Sequence, residues 1–501
     1  MAEAAPATAA PTGTGSTVHP PEWLILTLVC SAQFMVVLDI SIVNVALPSI
    51  QHSLGFTDAS LQWVVTAYSL TFGGLLLFGG RLADLFGRRR IFLTGLALFT
   101  VSSLLGGFAQ NQGTLIAARA LQGVGAAILS PATLTILTVT FTDQKARAKA
   151  LGVWSAVAAG GGAAGALFGG ILVQYLSWRW ILFVNVPIGI VLFALSRRYL
   201  VESKAAGPRN RLDIAGSVTV TAGLMVLVYA IVHTDVVSWG STSTLVAFGI
   251  AIVLLGAFIL IETRLATHPL MPAHLFRSRG VVGANLSMFC FGASMFAMWF
   301  FLTLYLQEVL HYSPLVTGFT FIPQTAAIAV GATLSGRLSP RLGPRNVLIA
   351  GALLASAGLY WLSFIQPGDS YWNSACGGGI LCTFGMGLAF TPIALSAMGG
   401  VRPEEAGLAS GVVNTSRQIG ASLGLAILST VAATQVQHLL HGAHPSSQAM
   451  AAALTSGYAR GFEIAAVIAL AGGLFALIIP ASRIRKVDDA GAPVGLAVAV
   501  E

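Results

Sequence analysis

The chain has 501 residues, of which 55% are hydrophobic and only 9% are charged. Soluble domains carry about 25% charged residues, so this composition excludes an ordinary soluble protein and indicates a polytopic membrane protein. The formal net charge of +8 does not indicate nucleic-acid binding. The basic residues stand in short loops between apolar runs, where they act as topology signals.

The chain begins with residues 1–22, a segment rich in Ala, Pro, Thr and Gly, which we expect to be a disordered cytoplasmic tail. A bilayer core needs about 20 apolar residues per helix. Apolar runs of that length predict about fourteen transmembrane helices, at residues 23–48, 60–80, 91–109, 113–137, 150–173, 180–198, 213–233, 243–262, 281–305, 315–336, 346–365, 373–398, 409–433 and 461–480.

The basic residues mark one side of the membrane. If the N-terminus is cytoplasmic, nearly all Lys and Arg fall in cytoplasmic loops such as Arg88–Arg90 and Arg337–Arg345 or in the C-terminal tail. This distribution follows the positive-inside rule, so both termini are predicted to be cytoplasmic. The excess of Arg over Lys, with abundant Ala and Gly, favours a bacterial source and therefore the bacterial cytoplasmic membrane.

A loop sequence occurs twice. Gly80–Arg90 follows the second predicted span and Gly336–Asn346 follows the tenth, with glycines and basic residues in the same register. Two copies of a loop at corresponding places predict two homologous halves, as in many secondary transporters. We therefore divide the chain into a tail (1–22), an N-terminal six-helix half (23–198), two extra helices with cytoplasmic linkers (199–280), a C-terminal six-helix half (281–480) and a second tail (481–501).

Asp39 is the most unusual residue of the predicted spans. A charge at bilayer depth costs at least about 2.5–3.5 kcal/mol, so its presence indicates a function. Counting along the first and fourth spans places Asp39 and Arg119 at a similar depth, where the two charges can pair. Asp39 is then either a proton-coupling group that is protonated when the pair opens, or one member of a static ion pair between helices.

Five motifs together resemble the major facilitator superfamily and, more closely, its fourteen-helix drug:proton antiporter family. The motifs are Leu38–Pro48, Gly80–Arg90, Arg119–Gly125, Gly160–Gly170 and Trp178–Gly189. The resemblance covers residues 23–480. It implies an all-α major facilitator fold of two six-helix halves plus two inserted helices, which works as a multidrug efflux transporter by alternating access.

The resemblance also implies site residues. Asp39 and Arg119 would couple protons, and Gly80, Asp84, Gly87 and Arg88 would form a conformational latch between the halves. Asp84 could serve this latch by capping a helix N-terminus or by pairing with Arg88. The antiporter-motif helix would contribute Gly165, Gly169 and Gly170, a face of small residues that we expect to pack against the other half.

The chain departs from the family pattern at three places. Ala166 stands where the antiporter motif normally has proline, and Pro340 stands in the second loop copy where the first has Asp84. Some relatives carry an acid in the thirteenth span, whereas this chain has Asn414 and Arg417 there. Asp39 would therefore carry nearly all of the proton coupling.

We expect a largely apolar substrate cavity with a few polar anchors, because methionine and aromatic side chains repack around variable ligands. The candidates are Gln33, Asn44, Gln62, Tyr68, Asn285, Met288, Met295, Trp299, Tyr305, Gln307, Glu308, Gln324 and Asn414. The predicted activity is proton-coupled efflux of lipophilic, cationic or amphiphilic compounds. The alternative is a dedicated exporter of one metabolite or lipid-like substrate.

Other function classes lack support in the sequence. A nucleotide-binding loop of the form GxxxxGK[ST] is absent. A membrane enzyme would need a clustered nucleophile, a metal site or a soluble domain, so we expect no enzymatic activity and no cofactor. His438, His441 and His444 are read as part of a polar outside loop over 435–461, not as metal ligands. The expected partners are a small lipophilic substrate, protons and membrane lipid, with the protein as a monomer.

Overall fold

The computed structural model describes residues 21–203, 213–234, 237, 239–266, 269–399, 401, 405–440 and 446–481. The predicted tails at 1–20 and 482–501, the linker 204–212, and His441 and His444 lie outside the described residues. Within them, the regular structure is helical throughout.

Fourteen long helices follow one another along the described part of the chain. They are α1 (Glu22–Leu54), α2 (Trp63–Phe86), α3 (Arg88–Gly107), α4 (Gln112–Thr140), α5 (Gln144–Tyr175), α6 (Trp180–Tyr199), α7 (Ile214–His233), α8 (Thr242–Leu260), α9 (Arg279–Leu304), α10 (Pro314–Leu342), α11 (Pro344–Leu362), α12 (Cys376–Met398), α13 (Ala406–Leu439) and α14 (Ser447–Phe475).

Thirteen of the described helices are long and apolar enough to cross a membrane. The remaining long helix, α5, has 32 residues and packs along α1. The all-α polytopic fold class is confirmed.

The predicted outside loop at 435–461 is wrong, because α13 continues to Leu439 and α14 already begins at Ser447. The Ser446 hydroxyl caps α14 by accepting from the Ala449 N–H at 3.2 Å, and Ala-rich sequence beyond the cap continues the helix.

The repeated loop has the same geometry in both halves. Gly87 ends α2 with φ of 108° immediately before α3, and Gly343 ends α10 with φ of 83° immediately before α11. Residues with a Cβ avoid this region, so glycine allows the abrupt change of direction between two consecutive helices.

Close helix contacts at glycines are a second feature that the two halves share. Gly161 and Gly165 bring α5 against α1, and Gly420 and Gly424 bring α13 against α9.

The two halves are built alike. In the first half α1 packs on α5, α2 on α4, and α3 on α4 and α6. The second half repeats this arrangement, with α9 on α13, α10 on α12, and α11 on α12 and α14. The most extensive contacts between the halves are those of α2 with α13 and of α5 with α10, and α1 also contacts α9. The inserted helix α7 packs on both α2 and α13, whereas α8 packs on α7 and is largely exposed.

The bundle has two ends, which we call the Leu54 end and the Gly87 end after residues that lie there. At the Leu54 end the halves touch: Gln307 donates to the Val45 carbonyl at 2.8 Å, and His52 Nε2 lies 3.1 Å from Glu308 Oε1. Toward the Gly87 end α5 and α10 diverge. A Cβ built at Gly152 or Gly160 of α5, or at Gly336 of α10, would meet nothing within 4 Å. Along this helix pair the described structure is thus closed at the Leu54 end and open toward the Gly87 end.

Candidate functional site

Asp39 lies in the middle of α1 and is fully buried. Its Oδ2 accepts from Arg119 Nη1 at 2.6 Å. Its Oδ1 accepts from Gln122 Nε2 at 2.7 Å and from Asn185 Nδ2 at 3.0 Å. The carboxylate is therefore surrounded by donors from α4 and α6, which is how a buried charge becomes tolerable.

Arg119 is equally enclosed, with 2% of its side chain exposed. Its Nε donates to the Val64 carbonyl of α2 at 3.0 Å, and Nη1 also donates to Gln122 Oε1 at 2.7 Å. The guanidinium carbon lies 4.5 Å from the centre of the Tyr68 ring. This stacking is a cation–π contact, so α2 stabilises the arginine with both a carbonyl dipole and an aromatic face.

Ser103 of α3 forms the next layer of the network. Its Oγ accepts from Gln122 at 3.2 Å and from Asn185 at 3.1 Å, and donates to the Leu182 carbonyl at 2.8 Å. Side chains or carbonyls of α1, α2, α3, α4 and α6 thus belong to one hydrogen-bonded cluster, which we call the Asp39 network. A buried polar network destabilises the fold when some of its groups lack hydrogen-bond partners, and it makes the fold more rigid when all of them are paired.

The chemistry available to this network follows from its donors. A protonated carboxyl would present an O–H to a neighbouring donor, so protonation of Asp39 requires Arg119, Gln122 or Asn185 to move away. Asp39 is also fully buried, so solvent has no direct contact with its carboxylate in this conformation. These are the properties of a site whose protonation is tied to a conformational change.

Gln122, Asn185 and Ser103 were not among the residues predicted to act at Asp39. The sequence contained a signal for Gln122, since it follows Arg119 by three residues and therefore shares its helix face. Asn185 lies within the Trp178–Gly189 motif. It begins the main part of α6, directly after the short turn Trp180–Phe183.

The predicted latch residues lie around the turn between α2 and α3. The cap at the α3 N-terminus comes from Glu202, after α6: its Oε1 accepts from the Arg89 N–H at 3.1 Å and its Oε2 from the Arg90 N–H at 3.2 Å. The Arg88 N–H donates to the Ser203 carbonyl at 3.0 Å. Negative charge at a helix N-terminus is stabilising. The side chain of Asp84 is outside the described part of the chain, and Gly80 approaches Pro131 of α4.

The sequence predicts that the antiporter-motif glycines pack against the other half. In the structure only one of the three does so. Gly165 packs against Leu38 and Ser41 of α1, and Gly169 against Ile42, because parallel α1 and α5 of the same half approach closely. Gly170 alone among the three approaches α10 of the other half, where a Cβ would lie 2.9 Å from the Leu315 Cα.

Several predicted cavity residues are buried within one half and line no open space in this conformation. Gln33 accepts from Ser130 at 3.0 Å, and the Tyr305 hydroxyl donates to the Gln366 carbonyl at 2.8 Å. Gln324 donates to the Tyr371 hydroxyl at 3.3 Å. Gln62 and Tyr68 are buried as well. The polar groups of Gln33, Gln324 and Tyr305 bond within their own half, whereas the buried Tyr68 hydroxyl has no hydrogen-bond partner among the described residues.

The remaining candidates lie along α1, α9 and α13. Asn285 and Met288 are buried, and Asn285 accepts from Ser416 at 2.8 Å, which links α9 to α13. Trp299 packs edge-to-face on Phe321 with ring centres 4.7 Å apart. Gln307 and Glu308 join α9 to α1 at the Leu54 end. The others are partly buried or exposed: Asn44, Met295 and Asn414.

An apolar groove of about 430 Å³ opens on the outside of the bundle. It is lined by residues of α2, α4 and α7, including Trp63, Ile116, Met225 and Tyr229. Its position away from the interface between the halves separates it from the predicted substrate cavity.

Two similar halves that meet around a space open at one end, with a charged network buried in one half, define the class of the protein as a membrane transporter. The chain belongs to the Major Facilitator Superfamily, whose family profile matches residues 29–425. It is 43% identical to the cephamycin export protein of Amycolatopsis lactamdurans over 91% of this chain and 92% of that protein.

A second relative is the puromycin resistance protein of Streptomyces alboniger, which is 41% identical over 94% of both chains. Among solved structures, a bacterial homologue of the human lysosomal transporter Spinster, captured inward-facing and unoccupied, superposes with a TM-score of 0.66. That comparison covers 93% of this chain and 98% of the other at 16% sequence identity, which shows the shared fold.

Proposed function

We propose that the protein exports lipophilic or amphiphilic small molecules from bacterial cells in exchange for external protons. The Asp39 network supports this proposal most directly, because its one carboxylate is fully buried among the long helices and is held by donors from α4 and α6. The relatives named for cephamycin export and puromycin resistance support the direction of transport and the class of substrate.

In this proposal the protein lies in the bacterial cytoplasmic membrane, with both termini and the Gly87 end on the cytoplasmic side. The basic residues Arg88, Arg89 and Arg90 at that end support the orientation through the positive-inside rule. The described conformation is then inward-facing. Contacts at the Leu54 end, such as Gln307 with Val45, would break when the transporter turns outward.

The proton would act by exchanging with Arg119 at Asp39. When the Leu54 end opens, an external proton reaches Asp39 and replaces the Arg119 guanidinium as the partner of Oδ2. After the return to the inward-facing state, Asp39 releases the proton and the pair forms again. Each proton moved inward contributes about 2.3 kcal/mol per 100 mV of membrane potential, enough to drive uphill export.

The latch and the antiporter-motif helix have proposed roles in the same cycle. The turn at Gly80, Asp84, Gly87 and Arg88 would hold the Gly87 end closed in the outward-facing state. Gly165, Gly169 and Gly170 would let α5 slide on α1 and on α10, since small residues permit close and changing helix contacts.

The coupling role is tested in inside-out vesicles with Asp39→Asn and with the double variant Asp39→Asn/Arg119→Gln. Asp39→Asn alone leaves Arg119 buried without a carboxylate partner, which destabilises the fold. The double variant removes both charges and so avoids this cost. We expect uptake of a labelled uncharged amphiphile, an alkyl methyl ester, driven by an imposed pH gradient to fall to background in both variants. Exchange of labelled for unlabelled ester without a gradient should persist, which shows that the variants are folded.

Glu463→Gln is the matched control, because Glu463 is an exposed acid that pairs with Arg460. It should leave gradient-driven uptake unchanged. Gradient-driven uptake at the wild-type rate in Asp39→Asn would contradict the coupling role of Asp39.

A dedicated exporter of one metabolite or lipid-like compound is the second candidate. The methionine and aromatic side chains among the cavity candidates, such as Met288, Met295 and Trp299, favour it, because such side chains suit an acyl chain as well as a drug. Brominated acyl chains that enter the cavity should quench Trp299 fluorescence, with Trp299→Phe as the control for the signal. Thermal stabilisation by a lipid and by none of a panel of antibiotics would favour this candidate over multidrug export.

A further inference from the structure

The contact between α2 and α13 contains buried polar atoms that lack hydrogen-bond partners. Among the described residues, the Tyr68 hydroxyl and the Thr66 and Ser69 hydroxyls of α2 have none. On α13 the Thr415 hydroxyl and both polar atoms of the Gln418 amide have none. Buried polar groups are nearly always paired, so a cluster of exceptions requires an explanation.

Arg417 adds a charge to this region. Its guanidinium is ionised at every physiological pH. Among the described residues, the carboxylates of Asp39 and Glu463 pair with other arginines, Arg119 and Arg460, and none is found within salt-bridge distance of Arg417. An intramembrane arginine almost always has a partner or marks a binding site.

The packing of α13 determines where Arg417 points. Gln418 faces α2, where it lies against Gly73, and Ser416 faces α9 through its bond to Asn285. Ile419 and Leu423 face α7. The remaining side of the helix carries Ser410, Asn414 and Arg417, whose spacing of four and three residues places them on one face. Asn414 is exposed and Arg417 is partly exposed, so this face borders the open space between the halves.

Tyr68 lies on the side of α2 that faces Arg417 of α13. Leu70 of α2 packs on α7, and Ser69 lies in line with Gly73, which meets α13. Tyr68 is then directed away from α7, toward the side of α2 that faces Arg417, and it is buried in this conformation. The two side chains lie within electrostatic range of each other, and Arg119 rests on the Tyr68 ring. Tyr68 therefore lies between Arg417 and the Asp39 network.

We propose that Arg417, with the Tyr68 hydroxyl and the Asn414 amide, binds an anionic group of the transported molecule. This inference rests on the proposed export function and narrows its substrates to amphiphiles that carry a carboxylate or a similar anion. All three groups can donate hydrogen bonds, and a planar guanidinium recognises a carboxylate with two parallel bonds. A cationic head, as expected from the sequence, would be repelled by Arg417.

Binding to the purified transporter in nanodiscs of zwitterionic lipid tests the proposal without any gradient. Three fluorescent alkyl probes would differ only in their end group: a carboxylate, its methyl ester or a trimethylammonium. Wild type should bind the carboxylate at least tenfold more tightly than the ester. Arg417→Gln should remove that preference, and Arg417→Lys should retain part of it, because lysine keeps the charge and loses the planar fork.

Arg460→Gln is the matched control, since Arg460 is an exposed arginine of α14 that pairs with Glu463. It should bind all three probes like wild type. Adding phosphatidylglycerol to the nanodiscs separates two sources of the anion. Carboxylate binding that resists the anionic lipid supports a substrate site, whereas competitive displacement by the lipid assigns Arg417 to a headgroup and overturns the proposal.

Equal affinity of wild type for carboxylate and ester would also overturn the proposal, as would unchanged carboxylate preference in Arg417→Gln. Export of the uncharged ester by wild-type vesicles is measured separately. If the ester is exported but the carboxylate is not preferred in binding, the anion site fails and the export function stands. If neither probe is exported but the carboxylate preference depends on Arg417, the export function fails and the site stands.

Discussion

Gln122 of α4 and Asn185 of α6 donate to the same oxygen of Asp39, at 2.7 and 3.0 Å, and both also donate to Ser103 Oγ. The two amides thus hold one carboxylate oxygen of Asp39 while Arg119 holds the other. Asp39 cannot turn away from Arg119 without losing the hydrogen bonds from both amides. This arrangement makes the two amides positioning residues for the proposed coupling.

Replacing Asn185 with leucine tests that role. The substitution removes one donor from Asp39 and one from Ser103, and a buried acceptor that loses its partner costs about 1–3 kcal/mol. We expect a lower unfolding midpoint and a shifted pH dependence of gradient-driven uptake, with gradient-independent exchange retained. Asn346→Leu is the control, because Asn346 of α11 is exposed and its amide donates to the Leu342 carbonyl at the end of α10, far from Asp39 in the chain. An unchanged pH profile in Asn185→Leu would assign Asn185 to stability alone.

The Asp39–Arg119 pair could be predicted from the sequence, because both residues are charged and counting along their helices gives their depth. Gln122 had a signal in its spacing from Arg119 on the same helix face. Asn185 and Ser103 could not be predicted, because neutral polar residues are common in spans and the neighbours of α6 depend on tertiary packing. The same limit applies to α5. Its glycines predict a close helix contact, but only the fold shows that Gly165 and Gly169 meet α1 while Gly170 meets α10.

The turn between α2 and α3 should be sensitive to any side chain at Gly87. Its φ of 108° disfavours residues with a Cβ, and a Cβ there would also meet the Glu202 carboxylate that caps α3. We expect Gly87→Ala to lower stability by about 1–3 kcal/mol and to displace the cap. Gly152→Ala is the control, since Gly152 is helical and faces open space. Thermal unfolding in detergent compares the two variants, and equal unfolding midpoints would contradict the assigned strain.

The contact between the halves at the Leu54 end should bias the conformational equilibrium. Gln307 bonds to the Val45 carbonyl, and Glu308 pairs with His52, whose side chain is 72% exposed. Exposed ion pairs contribute about 0–1 kcal/mol. The partly buried Gln307–Val45 hydrogen bond should therefore stabilise the closed Leu54 end more than the His52–Glu308 contact does. Gln307→Ala should increase the population open at the Leu54 end more than Glu308→Gln does. Distances between spin labels on α1 and α9 measure the shift, and the reverse ranking would contradict this reading.

The inserted helix α7 should stabilise the junction between the halves. Leu224 and Val228 pack with Leu70 of α2 and Ala426 of α13, so α7 covers the lipid side of the seam that contains the unpaired polar atoms. Leu224→Ala should cost about 2–5 kcal/mol of stability and weaken the contact between α2 and α13. Ile252→Ala is the control, since Ile252 of α8 is 69% exposed and contributes little packing. If both variants unfold at the same temperature, α7 is an accessory helix, and the seam must be protected from lipid by α2 and α13 alone.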